Sequence, residues 1–577
     1  MVAWWGKKEL KGREIMPEDI FFEAANRAGH DAYQLEGRIE RPVSRAAVVS
    51  VGIIFAFAAL VFAGQAFKLQ ILEGNVYADI SRNNRLERDV LFAARGVIYD
   101  RNGAELVWNS PSSSFDIEPS VGVEHISSST HAVLPYAKRE YTERLGFSHI
   151  LGFARYPKAD RSGSWWREEY SGVAGIEHAF DSVLAGKNGS TMTEANARGE
   201  LVREDIVDPP KEGGNLKLSI DADVQARLAQ ILSDHVRTQG FQGGAGIIMD
   251  VRTGELLAIT SFPEYDSAAF AEGDSVAVNK ANEDAAKPLL NRAIAGVYAP
   301  GSIVKPMFAA AALHEKLIDP EKEILSTGSI SIPNPYFPDK PSIFKDWKAH
   351  GYVDMRRALA VSSDVYFYAI GGGYADQRGL GIGKIDDYAR RFGFGTIAAF
   401  PISGGLAGTI PTPEWKLEVF DDPWRLGDTY NTAIGQYGFQ VTPLQVVRYV
   451  SAIANGGTIL DAHIILGERT KSWSVGISDA DLQVVREGMR AGVTGGGTAA
   501  ALNMGGIELA GKTGTAQVGT RNQYMNSWVI GFWPYESPKY AFAVVLEKAP
   551  AGTLSGAAPA ISNFFYWLRD AKPEYVQ

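Results

Sequence analysis

The hydrophobic pattern contains an apolar segment of 22 residues, from Ala46 to Phe67, without a charged side chain. At about 1.5 Å per residue, a helix of this length spans about 33 Å, which is enough to cross the hydrocarbon core of a bilayer. A core helix of a soluble protein would normally show a polar face, and this run shows none. Gly64-Gln65-Ala66 resembles a signal cleavage site, but the run is too long and begins too late for a cleaved signal peptide. The pattern predicts a retained transmembrane helix.

Basic residues before this run predict its orientation. Arg38, Arg41 and Arg45 lie immediately upstream, and the cytoplasmic flanks of membrane helices are enriched in Lys and Arg. We therefore expect residues 1–45 to be a cytoplasmic tail. The chain after Lys68 is then expected outside the cytoplasmic membrane, in the periplasmic or extracytoplasmic space.

Between residues 68 and 215 the alternation of polar and apolar positions is irregular. Gln70 to Leu91 has the spacing of an amphipathic helix that leaves the membrane. Val97 to Tyr99, followed by Asp-Arg-Asn-Gly at 100–103, predicts a short strand and a hairpin turn. Residues 104–215 mix short apolar runs with Ser, Gly and Pro, and this pattern alone predicts no fold.

From Leu216 onward the pattern becomes regular enough to predict individual elements. Asp221 has the position of a helix N-cap, before a helical pattern from Ala222 to about Thr238. Two apolar stretches, Gly243–Asp250 and Glu255–Thr260, then predict a β-hairpin. Further helical patterns lie near residues 284–296, 302–316, 354–371, 383–392, 442–455 and 478–492, and the chain ends with strand patterns near 507–518, 525–534 and 540–548 and a helix over 557–570. Strands at both ends with helices between them predict an α/β domain in which one sheet combines distant segments.

Composition narrows the possible functions. A chain of 577 residues is long enough for two to four domains. The net charge of −10, without a strongly basic domain, argues against nucleic acid as a partner. The chain contains no cysteine, which excludes disulfides, cysteine metal ligands and thiol catalysis. No glycine-rich phosphate loop follows a strand, which argues against a nucleotide enzyme.

The first candidate catalytic residues lie between Tyr298 and Pro306. Ser302 and Lys305 lie three residues apart after a Pro-Gly breaker and before an apolar run, so both are expected on one face of a first helical turn. A serine hydroxyl is a weak nucleophile at neutral pH, and an adjacent amine can activate it. On spacing alone, an ordinary solvated helix start is the simpler explanation.

Two further stretches favour a catalytic role for Ser302 and Lys305 over an ordinary helix start. Ser362-Ser363-Asp364 offers a hydroxyl and a carboxylate two residues apart, although Ser and Asp are also common helix N-caps. Gly511 to Thr515 carries Lys-Thr-Gly within a strand pattern, where a lysine and a threonine can bind a carboxylate. The alternative for this second stretch is a strand edge with a protective lysine.

Ser-x-x-Lys, Ser-x-Asp and Lys-Thr-Gly, in this order within one domain, form a rare combination. With these motifs, the chain resembles the class B penicillin-binding proteins, which are monofunctional peptidoglycan D,D-transpeptidases, over residues 68–570. Other matching stretches are RGVIYDRNG at 95–103, Gly175-Ile176-Glu177 with Leu184, Gly186 and Gly189, Trp424, Gly427-Asp428-Thr429, Ile434-Gly435-Gln436, Thr442-Pro443-Leu444-Gln445 and Trp528 to Phe532.

The resemblance implies an α/β fold: a penicillin-binding protein and β-lactamase-like transpeptidase domain, with an antiparallel sheet flanked by helices, on an extended pedestal domain with one N-terminal transmembrane helix. The expected divisions are a cytoplasmic tail (1–45), a transmembrane helix (46–67), a pedestal of the penicillin-binding protein dimerisation type (68–215) and a transpeptidase domain (216–577).

The stretches Asp346-Trp347, His350-Gly351 and Ser362 to Tyr368 are similar to the elongation-type members, which serve cell elongation and shape maintenance. Division-type (septal) members are the alternative, and they usually carry Asn where this chain has Asp364.

The resemblance also implies a catalytic role for several residues. Ser302 would attack the carbonyl of the penultimate D-Ala of a stem peptide and form an acyl-enzyme, with Lys305 as the base. The backbone N–H groups of Ser302 and Thr515 would form the oxyanion hole. Ser362 would relay the proton to the leaving amine, and Asp364 would orient Lys305 or the substrate amide.

Substrate contacts are implied for the third motif. Lys512 and Thr513 would hold the terminal carboxylate, and Gly514 and Thr515 would line the same groove. The donor peptide would lie along Lys512–Ala516 as an added strand. β-Lactams, which mimic D-Ala-D-Ala, would acylate Ser302 and remain bound.

The resemblance implies no cofactor. Some elongation-type enzymes bind zinc beside the active site through acidic, His and Cys ligands; Asp346 and His350 are the candidates here, but the absent Cys and compressed spacing lead us to expect no metal. The expected partners are peptidoglycan stem peptides, β-lactam antibiotics, a RodA-like membrane glycosyltransferase and other elongation-complex proteins.

A membrane-anchored β-lactamase or β-lactam sensor shares the three motifs. The pedestal and anchor argue against a β-lactamase, and the lack of further membrane spans or a signalling domain argues against a sensor.

Overall fold

The structure is a computed structural model, and it describes residues 45–77, 86–111, 136–160, 164–195, 201–334, 337 and 339–576. Two compact units are distinguished, Met1–Glu87 with Glu194–Glu200 and Arg88–Thr193 with Leu201–Gln577. The predicted cytoplasmic tail, residues 1–45, lies outside the described residues except for Arg45, where the first helix begins.

The first unit contains the candidate membrane anchor. The α-helix Arg45–Phe67 continues into one π-helical turn, Lys68–Leu72, and no residue of either is buried. The span Arg45–Leu72 is long and apolar enough to cross a membrane, with a mean hydropathy of 2.6 in its most apolar window. The helix predicted for Gln70 to Leu91 is wrong at its end, because Leu86–Leu91 is a strand that pairs with Gly189–Ala195. Pairing with a distant strand here overrides local helical spacing.

The N-terminal part of the second unit is built mainly from small sheets. One has four strands in the order Leu216–Lys217, Ile98–Tyr99, Glu105–Ser110 and Lys138–Tyr141, and another has three in the order Leu86–Leu91, Gly189–Ala195 and Leu201–Asp208. Two short pairs join Phe153–Arg155 to Ser171–Ala174 and Lys158–Ala159 to Trp165–Arg167. The same region contains three short helices, Ser148–Leu151, Gly175–Ala179 and Asp181–Leu184.

A buried network of ion pairs joins the stretch at 95–103 to the stretch Gly175-Ile176-Glu177. Arg95, Arg139 and Glu177 have fully buried side chains. Arg95 Nε donates to Glu177 Oε2 at 2.5 Å, and Arg139 Nε donates to Glu177 Oε1 at 2.8 Å. Arg95 also pairs with Asp181 at 2.7 Å. The stretch at 95–103 and the Gly175-Ile176-Glu177 stretch therefore belong to one structural unit, in which each charge is compensated.

The C-terminal part is organised around a five-stranded antiparallel sheet. Its strand order is Leu256–Phe262, Gly243–Asp250, Tyr540–Pro550, Tyr524–Trp533 and Ala510–Val518. The first two strands and the last three are separated by more than two hundred residues of chain, which confirms the predicted sheet of distant segments. Among the strands that the structure describes, Ala510–Val518 pairs with Tyr524–Trp533 alone, so its other edge is open to neighbouring groups.

Helices cover both faces of this sheet. Alternate residues such as Ile247 and Ile248 point into opposite cores, as the period of two in a strand requires. One core includes the helices Ala222–Gln239 and Ala557–Ala571, and the other includes Lys305–His314 and Pro443–Ala454. The remaining helices are Ser267–Glu272, Ser275–Glu283, Met355–Val361, Asp364–Gly372, Gly381–Arg391, Pro413–Phe420, Leu426–Ala433 and Asp479–Thr494, and the short strand pairs are Ile324–Ser326 with Gly351–Val353, Ser329–Ile332 with Ser342–Lys345 and Thr458–Leu460 with Ser472–Ser474.

Local capping explains one correct prediction and local chain geometry explains one error. The carboxylate of Asp221 accepts hydrogen bonds from the N–H groups of Asp223 and Val224, which confirms the predicted N-cap. The helix predicted over 284–296 is wrong, because this stretch forms turns. Lys287 has a left-handed φ of 52° and Pro288 follows it, and neither continues a right-handed helix.

Candidate active site

Ser302 lies in a 3₁₀ turn, Gly301–Val304, that runs directly into the helix Lys305–His314. The N–H of Lys305 donates to the carbonyl of Ser302 and closes the turn. We expected an α-helical first turn here; the tighter 3₁₀ geometry aligns residues i and i+3 more closely. Ser302 and Lys305 therefore share one face of this turn, which we call the nucleophile turn.

Four contacts fix the position of the nucleophile turn. Gly301 adopts a left-handed φ of +57°, and its N–H donates to the carbonyl of Gly435 at 2.9 Å. A Cβ atom at Gly301 would lie 2.8 Å from the carbonyl oxygen of Thr515, so only glycine allows this approach. Tyr449 Oη donates to the Ile303 carbonyl at 2.6 Å, and Trp528 Nε1 donates to the Ala299 carbonyl at 3.1 Å.

Lys305 is held by the second motif. Its ammonium group is fully buried and lies 2.6 Å from Asp364 Oδ1. It also donates to the carbonyl of Ser362 at 2.8 Å and to Ser362 Oγ at 3.3 Å. Within the described part of the chain, Ser302 Oγ makes no hydrogen bond. A catalytic serine–base contact often shortens only when substrate binds, so this arrangement is compatible with a general base at Lys305.

The second motif forms a sharp connection between two helices. Ser362 adopts a left-handed conformation (φ 60°, ψ 42°) at the end of the helix Met355–Val361. Ser363 is the N-cap of the helix Asp364–Gly372, with its hydroxyl accepting from the N–H of Tyr366. The N-cap alternative therefore applies to Ser363, whereas Ser362 turns its hydroxyl toward the lysines. We call Ser362–Asp364 the Ser362 loop.

Lys512 completes a buried set of polar groups. Its side chain is 1% exposed, and its ammonium donates to Ser362 Oγ at 2.8 Å and to the carbonyl of Thr513 at 2.8 Å. Burial, with the nearby Lys305 ammonium second, lowers the pKa of Lys512 well below its ordinary value. The hydroxyl of Ser362 thus lies between two amines, which is an arrangement that can pass a proton.

The rest of the third motif forms the wall beside the nucleophile turn. Thr513 Oγ1 donates to Thr498 Oγ1 at 2.6 Å, and Thr515 is exposed. A Cβ at Gly514 would lie 2.8 Å from the side chain of Ile303, so this glycine lets the strand pack on the turn. Thr498 was missed by the sequence analysis; the Gly495-Gly496-Gly497 run before it was the available signal.

Asp346 and His350, the candidate metal ligands, are close together but serve a different structural purpose. His350 Nε2 lies 3.5 Å from Asp346 Oδ1. Asp346 Oδ2 accepts hydrogen bonds from Ser363 Oγ at 2.9 Å, from the N–H of Val365 at 3.0 Å and from Ser326 Oγ at 3.2 Å. Among the residues described, no group of three or more His, Asp or Glu side chains is placed to hold a metal ion. This donor set does not fit zinc, and the Asp346 carboxylate instead anchors the Ser362 loop.

Two protein-family models match the chain. The first, described as the penicillin binding protein transpeptidase domain, matches residues 244–566. The second, described as the penicillin-binding protein dimerisation domain, matches residues 124–218. The first match contains the nucleophile turn, the Ser362 loop and the Lys-Thr-Gly strand.

Named relatives and solved structures agree with these matches. The peptidoglycan D,D-transpeptidase MrdA of Haemophilus influenzae is 28% identical, over 88% of this chain and 89% of that protein. The complex between penicillin-binding protein 2 and MreC from Helicobacter pylori contains a chain with 26% identity and a TM-score of 0.69, covering 85% of this chain and 99% of that one. A structure described as the structural coordination of polymerization and crosslinking by a peptidoglycan synthase complex has a chain with 26% identity and a TM-score of 0.69, covering 91% of this chain and 98% of that one.

Proposed function

The chain belongs to the penicillin-binding protein transpeptidase family, and from this premise we propose that it is an elongation-type, serine-dependent peptidoglycan D,D-transpeptidase. The observation that carries this proposal is the position of Ser362 Oγ, which lies 3.3 Å from Lys305 Nζ and 2.8 Å from Lys512 Nζ beside the nucleophile turn. The similarity to MrdA supports a role in cell elongation and shape maintenance.

The first half-reaction transfers an acyl group to Ser302. Ser302 Oγ attacks the carbonyl carbon of the penultimate D-Ala, and its proton passes to Lys305 in its neutral amine form. The N–H groups of Ser302 and Thr515 stabilise the negative oxygen, and losing one such donor typically costs about 10²–10³ in rate. Ser362 then donates a proton to the departing amine of the terminal D-Ala while the C–N bond breaks. Lys305, by way of Ser362, resupplies that proton, and an ester to Ser302 remains.

The second half-reaction resolves this ester. An amine from a neighbouring stem peptide attacks the ester carbonyl, and the new amide bond is the cross-link. The amine proton returns through Ser362 and Lys305 to the oxygen of Ser302 as the ester bond breaks. Asp364 holds Lys305 in position through their 2.6 Å contact. Every step is assigned to side chains or backbone groups of the protein itself.

Substrate contacts divide between the surface and the interior of the third motif. We assign the terminal carboxylate of the stem peptide to the hydroxyls of Thr513 and Thr515. Lys512 is buried behind Ser362 and contributes its charge to the carboxylate from the interior, rather than by the direct contact expected from the sequence. The open edge of Ala510–Val518 receives the donor peptide as an added strand, with Gly514 lining the groove.

The anchor and the relatives support a membrane-bound assembly. We propose that residues 46–67 fix the protein in the cytoplasmic membrane with the tail 1–45 inside, and that residues 68–215 and 216–577 form pedestal and transpeptidase domains outside. A penicillin-binding protein 2 forms a complex with MreC in Helicobacter pylori. By analogy, the partners of this chain are elongation-complex proteins, including a RodA-like membrane glycosyltransferase.

Co-purification of a RodA-like protein, before and after the anchor is replaced by an unrelated helix, tests contact through the anchor. Co-purification that survives this replacement would count against such contact.

Intact-protein mass spectrometry after incubation with benzylpenicillin tests the proposed chemistry. We expect a stable adduct of one drug mass on the wild type and on Ser562→Ala, a control serine whose hydroxyl bonds within the last helix. Ser302→Ala should form no adduct. Hydrolysed drug without an adduct would instead identify a β-lactamase, and intact drug without an adduct would contradict acylation at Ser302.

A further inference from the structure

The segment just before the nucleophile turn is attached to the central strand of the sheet through a buried tyrosine. Tyr298 is 7% exposed, and its hydroxyl donates to Glu547 Oε2 at 2.7 Å. Glu547 lies on Tyr540–Pro550, the third of the five strands. Burial, and then the neighbouring Glu547 carboxylate, raise the pKa of Tyr298 well above its ordinary value, so this hydroxyl keeps its proton and remains a donor.

The carboxylate of Glu547 is held in turn by a buried guanidinium group. Arg292 Nη2 donates to Glu547 Oε1 at 2.9 Å. The same guanidinium donates to the carbonyls of Ala286 at 2.6 Å and of Lys287 at 3.1 Å. Each oxygen of Glu547 therefore has a donor, and its negative charge is compensated. We call Tyr298, Glu547 and Arg292 the tyrosine anchor.

A second contact attaches the next residue to the neighbouring strand. Trp528 Nε1 donates to the carbonyl of Ala299 at 3.1 Å. The rings of Trp528 and Tyr298 lie edge to face, with their centroids 6.0 Å apart. In the sheet Trp528 is paired with Gly514, which is adjacent to Thr515. The side chains on both sides of this contact therefore connect the approach to the nucleophile turn with the sheet that carries the Lys-Thr-Gly motif.

The backbone of the same segment is bonded to another part of the domain. The N–H and the carbonyl of Tyr298 exchange hydrogen bonds with Val441, at 3.0 Å each. The N–H of Gly301 donates to the carbonyl of Gly435 at 2.9 Å. The backbone before Ser302 is thus bonded to residues 435–441, whereas the N–H of Thr515 belongs to the sheet. The tyrosine anchor crosses from the first of these parts to the second.

We propose that the tyrosine anchor positions the nucleophile turn for acylation, by setting the N–H of Ser302 at its working distance from the N–H of Thr515. The hydroxyl of Tyr298 ties the turn to the sheet, and Arg292 keeps the receiving carboxylate from turning away. An oxyanion hole acts through donors that are in place before the charge develops, and a displacement of about 1 Å can cost about 10²-fold in rate. The three side chains act through the backbone in this role, which rests on the proposed function.

The rate of benzylpenicillin acylation, measured on the full-length protein over a range of drug concentrations, tests this proposal. Tyr298→Phe keeps the ring against Trp528 and removes only the hydroxyl. The acylation rate constant at saturating drug should fall by about tenfold or more. The drug concentration for half-saturation should change by less than about twofold, because displaced oxyanion donors raise the barrier to reaction without removing the contacts that bind the drug.

Tyr388→Phe is the matched control. Tyr388 is also buried, and its hydroxyl donates to another glutamate, Glu315 Oε1, at 2.9 Å. Its ring likewise lies edge to face with an aromatic neighbour, His314, with centroids 6.2 Å apart. Glu315 follows the far end of the helix Lys305–His314. This variant should lose a free energy of unfolding in urea similar to that lost by Tyr298→Phe, and it should keep the wild-type acylation rate constant.

Glu547→Gln separates the position of the hydroxyl from general stability. The amide keeps a hydrogen bond to Tyr298 in either orientation, because a hydroxyl can donate or accept. It no longer compensates the charge of Arg292, so this variant should be less stable than Tyr298→Phe. It should nevertheless be acylated faster than Tyr298→Phe, which is the reverse of the order that a loss of stability alone would produce.

The outcomes distinguish this inference from the proposed function. A wild-type acylation rate constant in Tyr298→Phe, or an equal fall in Tyr388→Phe, would overturn the positioning role while leaving acylation at Ser302 intact. Slower acylation of Glu547→Gln than of Tyr298→Phe would also overturn it. Absence of any adduct on the wild type would overturn the proposed function, and this inference with it.

Discussion

Lys305 and Lys512 approach the same oxygen atom, Ser362 Oγ, at 3.3 and 2.8 Å. The carboxylate of Asp364 lies 2.6 Å from Lys305, while Lys512 Nζ donates to the Ser362 hydroxyl and to the carbonyl of Thr513. The two amines are therefore unequal: one is compensated by a carboxylate, and the other is buried beside a like charge. Of the two neighbours of Ser362 Oγ, Lys512 is the one whose pKa burial lowers well below its ordinary value.

The lowered pKa of Lys512 predicts how stability depends on pH. In the unfolded chain Lys512 keeps its proton up to about its ordinary value of 10.5, but in the folded protein it releases the proton at lower pH. Between these two values the unfolded state binds more protons, so the free energy of unfolding rises with pH across that window. Lys512→Met should flatten this rise and lower benzylpenicillin acylation by about 10²-fold or more.

Urea unfolding at several pH values and adduct formation by mass spectrometry provide the two readouts. Lys471→Met, at an exposed position, should keep both the slope and the acylation rate of the wild type. An unchanged slope in Lys512→Met would show that Lys512 is not the group responsible. Normal acylation in that variant would exclude Lys512 from the proton path.

Asp346 is predicted to position the Ser362 loop. Replacement by Ala leaves the hydroxyl of Ser363 and the N–H of Val365 without their acceptor, and each buried unsatisfied group costs about 1–3 kcal/mol. Acylation should fall as well, because Ser362 is displaced from the two lysines. Asp354→Ala, which removes the N-cap of the preceding helix, is a matched control that should cost about 1 kcal/mol with acylation retained. Equal acylation rates in the two variants would contradict a positioning role.

Local signals predicted more of this fold than did signals that depend on tertiary packing. The cap at Asp221 follows from short-range hydrogen bonding and the strand Gly243–Asp250 from a short apolar run, and both predictions are confirmed. The helix over 284–296 failed because a left-handed Lys287 before Pro288 is not visible in hydrophobic spacing. The strand Leu86–Leu91 was missed because its partner lies about a hundred residues away.

The residues of the candidate site also divide into those that local motifs predicted and those that only tertiary packing brings together. The three motifs were found by their order and resemblance, and Lys305 of the first and Lys512 of the third both contact Ser362 Oγ of the second. The hydrogen bond between Thr513 and Thr498 and the anchoring of Ser363 by Asp346 span 15 and 17 residues of chain. No spacing rule encodes such contacts, because they depend on how separate elements pack. The hydrogen bonds of Asp346 are of this kind, because they connect its carboxylate to Ser363 and to the N–H of Val365.

Glu177 is predicted to be essential for stability at a distance from the chemistry. Glu177→Gln removes the negative charge between the buried guanidinium groups of Arg95 and Arg139. Breaking a buried ion pair in this way costs about 3–5 kcal/mol, and thermal unfolding should register it. Glu140→Gln, whose pairing with Lys138 is partly exposed, should cost less than about 1 kcal/mol. Similar unfolding temperatures for the two variants would contradict a structural role of the network.

Gly301→Ala is predicted to damage catalysis through backbone position alone. Gly301 and Gly273 have left-handed φ values of +57° and +77°, and an alanine in this conformation costs about 1–2 kcal/mol. They differ in their surroundings: a Cβ at Gly301 would lie 2.8 Å from the Thr515 carbonyl oxygen, whereas a Cβ at Gly273 would meet nothing within 4 Å. Both variants should therefore lose the stability that the left-handed φ costs, and Gly301→Ala should lose more because its Cβ is too close to the Thr515 backbone. Only Gly301→Ala should separate the Ser302 and Thr515 backbones and slow benzylpenicillin acylation, by about 10²-fold if one oxyanion donor is lost. Chemical denaturation and adduct kinetics on the same two proteins distinguish the effects, and equal acylation rates would show that this close approach is dispensable.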